Sequence, residues 1–314
     1  MEDYPKNLME FETRFATEEA CREYLFQMRW PEGFRCPRCS GGKAWPTERG
    51  LWHCAACSHQ VSVTAGTVFQ DTRKPLRMWF RAMWWVTSQK TGASAAGLQQ
   101  ALGLGSYQTA WTWLHKLRRA MVRPGRDRLG ARVEVDETYV GGHEDGAIGR
   151  GAKDKALVAI AVEKEGRKIG RVRMRVVQTF SSDELCGFVR DCVEPGSTIR
   201  TDGLNSYLAL PGYGYVHDRI VQKKEKETAS ELMPGVHLVA SLLKRWLLGT
   251  HQGRVSNEHL GYYLDEFTFR FNRRKSRHRG KLFYRLVQQV VALEPTPYKQ
   301  IVKPSASPGC TDTA

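Results

Sequence analysis

Four cysteines constrain the folding of this chain more than any other residues in it. Cys36 and Cys39 in "CPRC" and Cys54 and Cys57 in "CAAC" form two Cys-x2-Cys pairs with fourteen residues between them. Each pair can grip one side of a tetrahedral ion, and the spacer is long enough for a hairpin turning at "ERG", 48–50. The spacing predicts a zinc ribbon; the alternative is two redox Cys-x2-Cys motifs, which rarely come doubled at this distance. Four thiolates leave no coordination position for water, so the Zn2+ is expected to be structural. His53 adjoins Cys54, but the ligand set is complete without it, and it reads as a surface histidine. Cys21, Cys186, Cys192 and Cys310 lack partner spacing and read as core or tail residues, with all eight cysteines reduced.

The chain carries 48 lysines and arginines against 33 aspartates and glutamates, a net charge of +15. That excess calls for a polyanionic partner, nucleic acid first and an anionic membrane surface second. Nothing supports the membrane. The first twenty residues are too acidic for a signal peptide, and the most apolar window, "RMWFRAMWWV" at 77–86, is short and holds Arg77 and Arg81. A soluble, cytoplasmic, nucleoid-associated protein is expected. At 314 residues the chain has room for about two ordinary domains.

From Pro75, Leu76, Trp79, Phe80, Met83 and Trp84 recur at helical spacing, a stripe that reads as core. Next, "TGASAAGLQQALGLGSYQTAWTWLHKLRRAM" predicts a helix, a turn at "GLGS" and a second helix opening near Ser106, with Gln108, Thr109 and Thr112 exposed. This is the pattern of a helix-turn-helix, whose second helix could enter a major groove, or of a plain helical hairpin. Lys116, Arg118 and Arg119 suit phosphate contact or merely favour the helix C-terminus.

After the basic connector "RPGRDRLG" the pattern turns to strands. "VEVDETYVGG", 133–142, sets Glu134, Asp136 and Glu137 into a β-branched run, although strands usually avoid such acids. Alternation sends Glu134, Asp136 and Thr138 to one face and Val135, Glu137 and Tyr139 to the other. "ALVAIAVE" at 156–163 and "IGRVRMRVV" at 169–177 predict two more strands, after a glycine-rich excursion near the site. A helix capped by Ser181 or Ser182 follows, then a short strand, 198–201, ending at Asp202. Three strands, a crossover helix and a fourth strand match an RNase H-like order, in which the first and fourth strands are neighbours. Asp136 and Asp202 would then meet, and two repelling carboxylates are best tolerated around a cation. Mg2+ or Mn2+ is the usual occupant where a phosphodiester is attacked in line. The strand would exist to hold a metal ligand rigidly; the alternative is two ordinary strand-end acids.

The ordered blocks "FRCPRC", "HCAAC", "TAGTVF", "VEVDETYVGG", "TDGLNSY", "LLKRWLLGTHQG" and "YLDEFTFRFNRR" resemble the bacterial insertion-sequence transposases of the ISXO-like group. These carry an amino-terminal zinc ribbon and a DDE-type, RNase H-like catalytic domain. The resemblance implies movement of a short mobile element by a polynucleotidyl transferase that binds terminal inverted repeats and target DNA. It implies that Asp136 and Asp202 are the first two triad members. Where the family often has Glu, or Asn nearby, this chain has His237, a poorer magnesium ligand that suits transition metals or a hydrogen bond to water. Glu266 is a rival third ligand that reads better as part of a packing helix. A dimer or larger homo-oligomer follows by analogy, since two ends must be joined.

His237, Ser241, Lys244 and Arg245 share one helix face, so Lys244 could steady a phosphate beside the metals. "RFNRRKSRHRGK", 270–281, holds Arg270, Arg273, Arg274, Lys275, Arg277 and Arg279 among its cations, and a run so dense reads better as a DNA-backbone contact than as a solvated face. "VQKKEKE", 221–227, reads as a solvated loop. The fold class is therefore α+β and multidomain: residues 1–70 with the ribbon, 71–125 helical and helix-turn-helix-like, 131–290 RNase H-like mixed α/β, and 294–314 a disordered tail. The rival functions are a structure-specific DNA nuclease, which cuts without joining, and a zinc-ribbon DNA-binding regulator, which leaves the acidic strand without purpose.

Overall fold

The computed structural model describes residues 2–123, 125–141, 155–220, 229–253 and 255–303. They form two compact units, one from Met1–Val122 with Lys275–Val302 and the other within Arg123–Arg274. No helix among the described residues is long and apolar enough to cross a membrane.

The first unit begins with α1 (Leu8–Arg14) and α2 (Glu18–Arg29), whose free N-terminal amides are met by the side chains of Asn7 and Thr17. The ribbon follows as β1 (Ala44–Pro46), β2 (Trp52–Cys54) and β3 (Gln60–Val61), an antiparallel sheet in that order. Its first hairpin turns at the expected "ERG", where Gly50 takes a left-handed φ of +71° that suits a residue without Cβ. α3 (Leu76–Ser88) buries the expected stripe, and Trp79 stacks at 3.8 Å on Trp113. α4 (Ala95–Leu102) stops at left-handed Gly103, and α5 (Tyr107–Arg119) starts at Ser106, whose hydroxyl accepts from Thr109 N.

Two expectations differ in this unit. Residues 279–290 are expected in the RNase H-like domain, yet α10 (Arg279–Ala292) packs on α2 and α3. Phe283 is fully buried there, among the rings of Phe11, Phe15, Tyr24, Phe80 and Trp84. Helical periodicity names a buried face but not the core that receives it. The expected disordered tail is helical at α11 (Tyr298–Val302), because Ile301 buries completely and Gln108 donates to the Tyr298 hydroxyl. Residues 304–314, with Cys310, lie outside the described residues.

The second unit is built on β4 (Arg132–Val140), β5 (Ala156–Glu165), β6 (Lys168–Val177), β7 (Thr198–Thr201) and β8 (Val216–Arg219), paired in the order β6-β5-β4-β7-β8. β6, β5 and β4 form an antiparallel meander, whereas β7 and β8 run parallel to β4. This is the RNase H-like arrangement with its first and fourth strands adjacent, plus a fifth strand, β8, that no sequence pattern announces. α6 (Ser182–Cys192) starts at Ser181 and closes one face over Val133, Val135 and Ile199. A short α7 (Ala229–Leu232) leads into α8 (Pro234–His251), which with α9 (Leu260–Asn272) covers the other face through Val236, Val239, Leu243, Leu247, Leu264 and Phe267. β5 is buried on both faces, as its unbroken apolar run requires. The glycine-rich stretch 142–154 and the "VQKKEKE" stretch lie outside the described residues.

Candidate active site

Strand alternation places Glu134 and Asp136 on the α8 face of β4, and Val133, Val135, Glu137 and Tyr139 on the α6 face. The parallel register pairs Arg132 with Thr198, Val133 with Ile199 and Glu134 with Arg200. Continued two residues further, it sets Asp136 beside Asp202, just past the end of β7. Asp202 Oδ1 accepts from Leu204 N at 2.9 Å, which fixes the carboxylate in the turn after β7. His237, in the first turn of α8, brings Nε2 to 3.9 Å from Asp136 Oδ2.

Asp136 keeps 22% of its side chain exposed. Burial pushes its carboxyl up to about 6, with the negative charge of Asp202 adding to the rise. The Glu137 amide, His237 and Lys244 act in the opposite direction. Lys244, on the exposed side of α8, is itself lowered by burial, then by Lys155, while Asp136 raises it. Lys244 thus stands in the field of the carboxylate, as one helix face with His237 predicts.

A divalent ion fits the donor chemistry of this corner. The buried His237 Nε2 has no hydrogen-bond partner among the described residues, and its gap to Asp136 is too long for a hydrogen bond. Two carboxylates and an imidazole are ligands that Mn2+ accepts and Mg2+ accepts less readily. The three are more widely spaced than the thiolates of the ribbon: among the described residues, only the four cysteines bring three or more ligand atoms all within 4.8 Å of one another.

Glu137, the third acid of the strand, serves the opposite face. The buried Tyr207 hydroxyl donates to Glu137 Oε1, and burial, then Glu137, hold the Tyr207 proton well above its ordinary range. Glu266 does not serve as a ligand: it is fully buried and paired with Arg270 Nε at 2.9 Å.

In the ribbon, the Cys36 and Cys57 sulfurs lie 3.7 Å apart and those of Cys39 and Cys54 3.6 Å apart. Tetrahedral Zn–S bonds of about 2.3 Å require sulfurs about 3.8 Å apart, so the set fits Zn2+ without a fifth donor. His53 stacks on Trp45 at 4.7 Å and bonds Gln60 at 3.2 Å, outside that set.

The expected DNA contacts divide. Arg119, Arg245, Lys275 and Arg277 are exposed, and Lys116 and Arg279 half-buried. Arg118 is corrected: it is 1% exposed, on the buried stripe of α5 with Leu114 and Leu117. Arg270 is corrected too, being held by Glu266. Arg273 lies over the Phe269 ring and donates to Phe269 O, and Arg274 lies over Phe271 and donates to the carbonyls of Ile169 and Gly170. Arg274 ties the end of α9 to β6, while Arg270 and Arg273 are engaged within α9, so the basic run is not one continuous contact surface.

Known proteins divide along similar lines. Residues 128–272 match the ISXO2-like transposase domain, and residues 16–60 match the transposase zinc-ribbon domain. A protein of the transposable element ISH50 of Halobacterium salinarum is 28% identical over 283 residues, which cover 82% of this chain and 91% of that protein. Two solved structures align more loosely. A simian T-cell lymphotropic virus intasome in complex with PP2A regulatory subunit B56 gamma gives a TM-score of 0.32 at 14% identity, over 69% of this chain and 79% of its own. A pre-cleavage Mos1 transpososome gives 0.30 at 12% identity, over 71% and 79%. Likenesses this distant carry no argument about mechanism.

Proposed function

We propose that the chain is a transposase of the ISXO2-like family with its zinc ribbon, that it binds the terminal inverted repeats of an insertion sequence, and that it catalyses metal-dependent cleavage and strand transfer there. The observation that carries the reading is the parallel pairing of β4 with β7, which aligns Asp136 with Asp202 while α8 brings His237 Nε2 to 3.9 Å from Asp136.

Asp136, Asp202 and His237 would hold the catalytic ion. Bound there, Mg2+ or Mn2+ would supply Lewis-acid stabilisation of charge at a phosphodiester and make a water or a 3′ hydroxyl more acidic. The chain's own part is to hold Asp136 on a rigid strand and Asp202 in the turn that ends β7, and to keep water access limited at a mostly buried Asp136. Lys244 stands where a phosphate oxygen beside those carboxylates would find a cation. Structural Zn2+ keeps the ribbon folded, and the ribbon and the α4–α5 pair are the proposed readers of the element's ends. Arg119, Lys116, Arg245, Lys275, Arg277 and Arg279 would contribute phosphate contacts with affinity that falls steeply as salt rises. Joining two ends calls for a dimer or larger assembly on DNA.

The test incubates wild type and Asp136→Ala with a labelled duplex from the end of the encoding element and a target plasmid, in Mg2+ or Mn2+. Label joined to plasmid by the wild type alone is the expected result. Cutting without joining would favour a structure-specific nuclease. DNA binding with no cutting in either metal would withdraw the catalytic reading and leave a DNA-binding regulator.

A further inference from the structure

Glu134 is a carboxylate that the proposed chemistry does not use, and it is more deeply buried than either catalytic acid. It is 3% exposed, on the same face of β4 as Asp136 and two residues before it. Its Oε2 accepts from Val236 N at 2.9 Å, and its Oε1 faces Lys164 Nζ at 3.4 Å.

Val236 is the third residue of α8, in the turn whose amides have no partner within the helix. Pro234 has no amide to offer, and the residue before the helix, Met233, makes no side-chain cap. The capping acceptor therefore comes from a strand 102 residues earlier in the chain. A negative charge there is also favoured by the helix dipole. Lys164 supplies a counter-charge, so the buried carboxylate is not left alone.

The seat is close. A Cβ added at Gly235 would fall 2.7 Å from Glu134 Oε2 and 3.2 Å from Lys164 Cδ. A side chain at this position would have to push aside the Glu134 carboxylate or the Lys164 stem. The residue after Val236 is His237, and the residue two beyond Glu134 is Asp136. Strand and helix thus meet at two successive points, Glu134 with Val236 and Asp136 with His237. A shift or rotation of the helix end that releases the first contact must also move the second.

We propose that Glu134 is a positioning residue: by seating the first turn of α8 on β4, it sets His237 against Asp136 and thereby the divalent-ion affinity of the site. This rests on the reading of Asp136, Asp202 and His237 as metal ligands.

The experiment titrates Mn2+ calorimetrically into the full-length, zinc-loaded protein and records thermal midpoints alongside. The variants are Glu134→Ala, Glu134→Gln, Gly235→Ala, Asp136→Ala and, as a control for simple destabilisation, Val189→Ala in the core of the opposite sheet face. Glu134→Ala and Gly235→Ala should each weaken Mn2+ binding about tenfold, the scale of loss when a group that orients a ligand is removed. Glu134→Gln keeps an acceptor for Val236 N and should retain most of the affinity while melting lower, since Lys164 loses its counter-charge. Val189→Ala should melt lower with affinity unchanged. If Glu134→Ala fails to fold, Gly235→Ala with Glu134→Gln decides the matter. Wild-type affinity in Glu134→Ala or Gly235→Ala, or a Gln variant as weak as Ala, overturns the proposal. Mn2+ uptake that follows this pattern in a protein without strand transfer upholds the positioning role and sinks the transposition chemistry. Uptake that ignores Asp136→Ala sinks both.

Discussion

Replacing Asp136 by asparagine should make the protein less sensitive to pH. Burial raises the Asp136 carboxyl from its ordinary 3.8 to about 6. A carboxyl that holds its proton more tightly when folded favours the folded state below its unfolded value, and that advantage is lost as pH rises through the folded value. With 1.36 kcal/mol for each tenfold change in proton affinity, the loss between about pH 4 and pH 7.5 approaches ~3 kcal/mol. Glu163 works in the opposite sense. Against the cost of its own burial, Arg171 and the Gly130 and Arg171 amides hold it down to about 2, so its contribution is present above about pH 4.5 and lost in stronger acid. Both proteins share Glu163, and subtraction removes it. The assay is urea unfolding of zinc-loaded wild type and Asp136→Asn across this pH range, without added Mg2+ or Mn2+. Wild type should lose stability relative to the variant as pH rises. Excess Mn2+ should then restore wild type in proportion to ion occupancy and leave the variant nearly unmoved. Parallel pH profiles would refute the burial argument, and equal Mn2+ stabilisation of both proteins would place the ion elsewhere.

Four further outcomes are expected. Cys57→Ser should drop zinc content from one ion per chain to none after mild chelation, measured by atomic absorption, because a three-thiolate site with water is a weaker structural clamp. Phe283→Ala should cost about 4 kcal/mol in urea unfolding, since it opens a cavity among five aromatic rings; a loss near zero would mean that α10 is not part of that core. Arg119→Ala should weaken DNA binding and lower the salt dependence by about one phosphate contact. Arg118→Ala should instead lower the melting temperature, because its guanidinium is buried; a DNA-binding loss at full stability would restore Arg118 as a contact.

What the chain reveals before it folds depends on the range of the interaction concerned. The zinc ligands lie within 21 positions of one another and depend on spacing alone, so the thiolates, hairpin and turn are all visible. Strand alternation and element order suffice to put Asp136 next to Asp202, because only a few topologies accommodate a meander, a crossover helix and a fourth strand. β8 is invisible because "VHDR" does not alternate and Val216 is 59% exposed on an edge strand. The fate of Arg118 is written in the chain but overruled by its charge: it lies four residues after Leu114 and eight after Ala110, on the buried stripe, whereas Arg119 falls off it.

Glu134 marks the boundary most sharply. Its strand, its face and its anomaly as an acid among β-branched residues can all be seen, and so can Gly235 at the start of a helix. Their meaning depends on a contact across 102 positions that no local pattern encodes. Asp136 and His237 are separated almost as widely, and only likeness to a family puts them together from sequence. A strand rich in acids therefore poses two questions of different kinds. Charge repulsion near Asp202 points to a cation for Asp136, while the absence of a local cap on α8 is what gives the neighbouring carboxylate its task. The same face of one strand thus carries both a proposed ligand and the anchor for the helix that supplies the next one, which explains why the acids occur together.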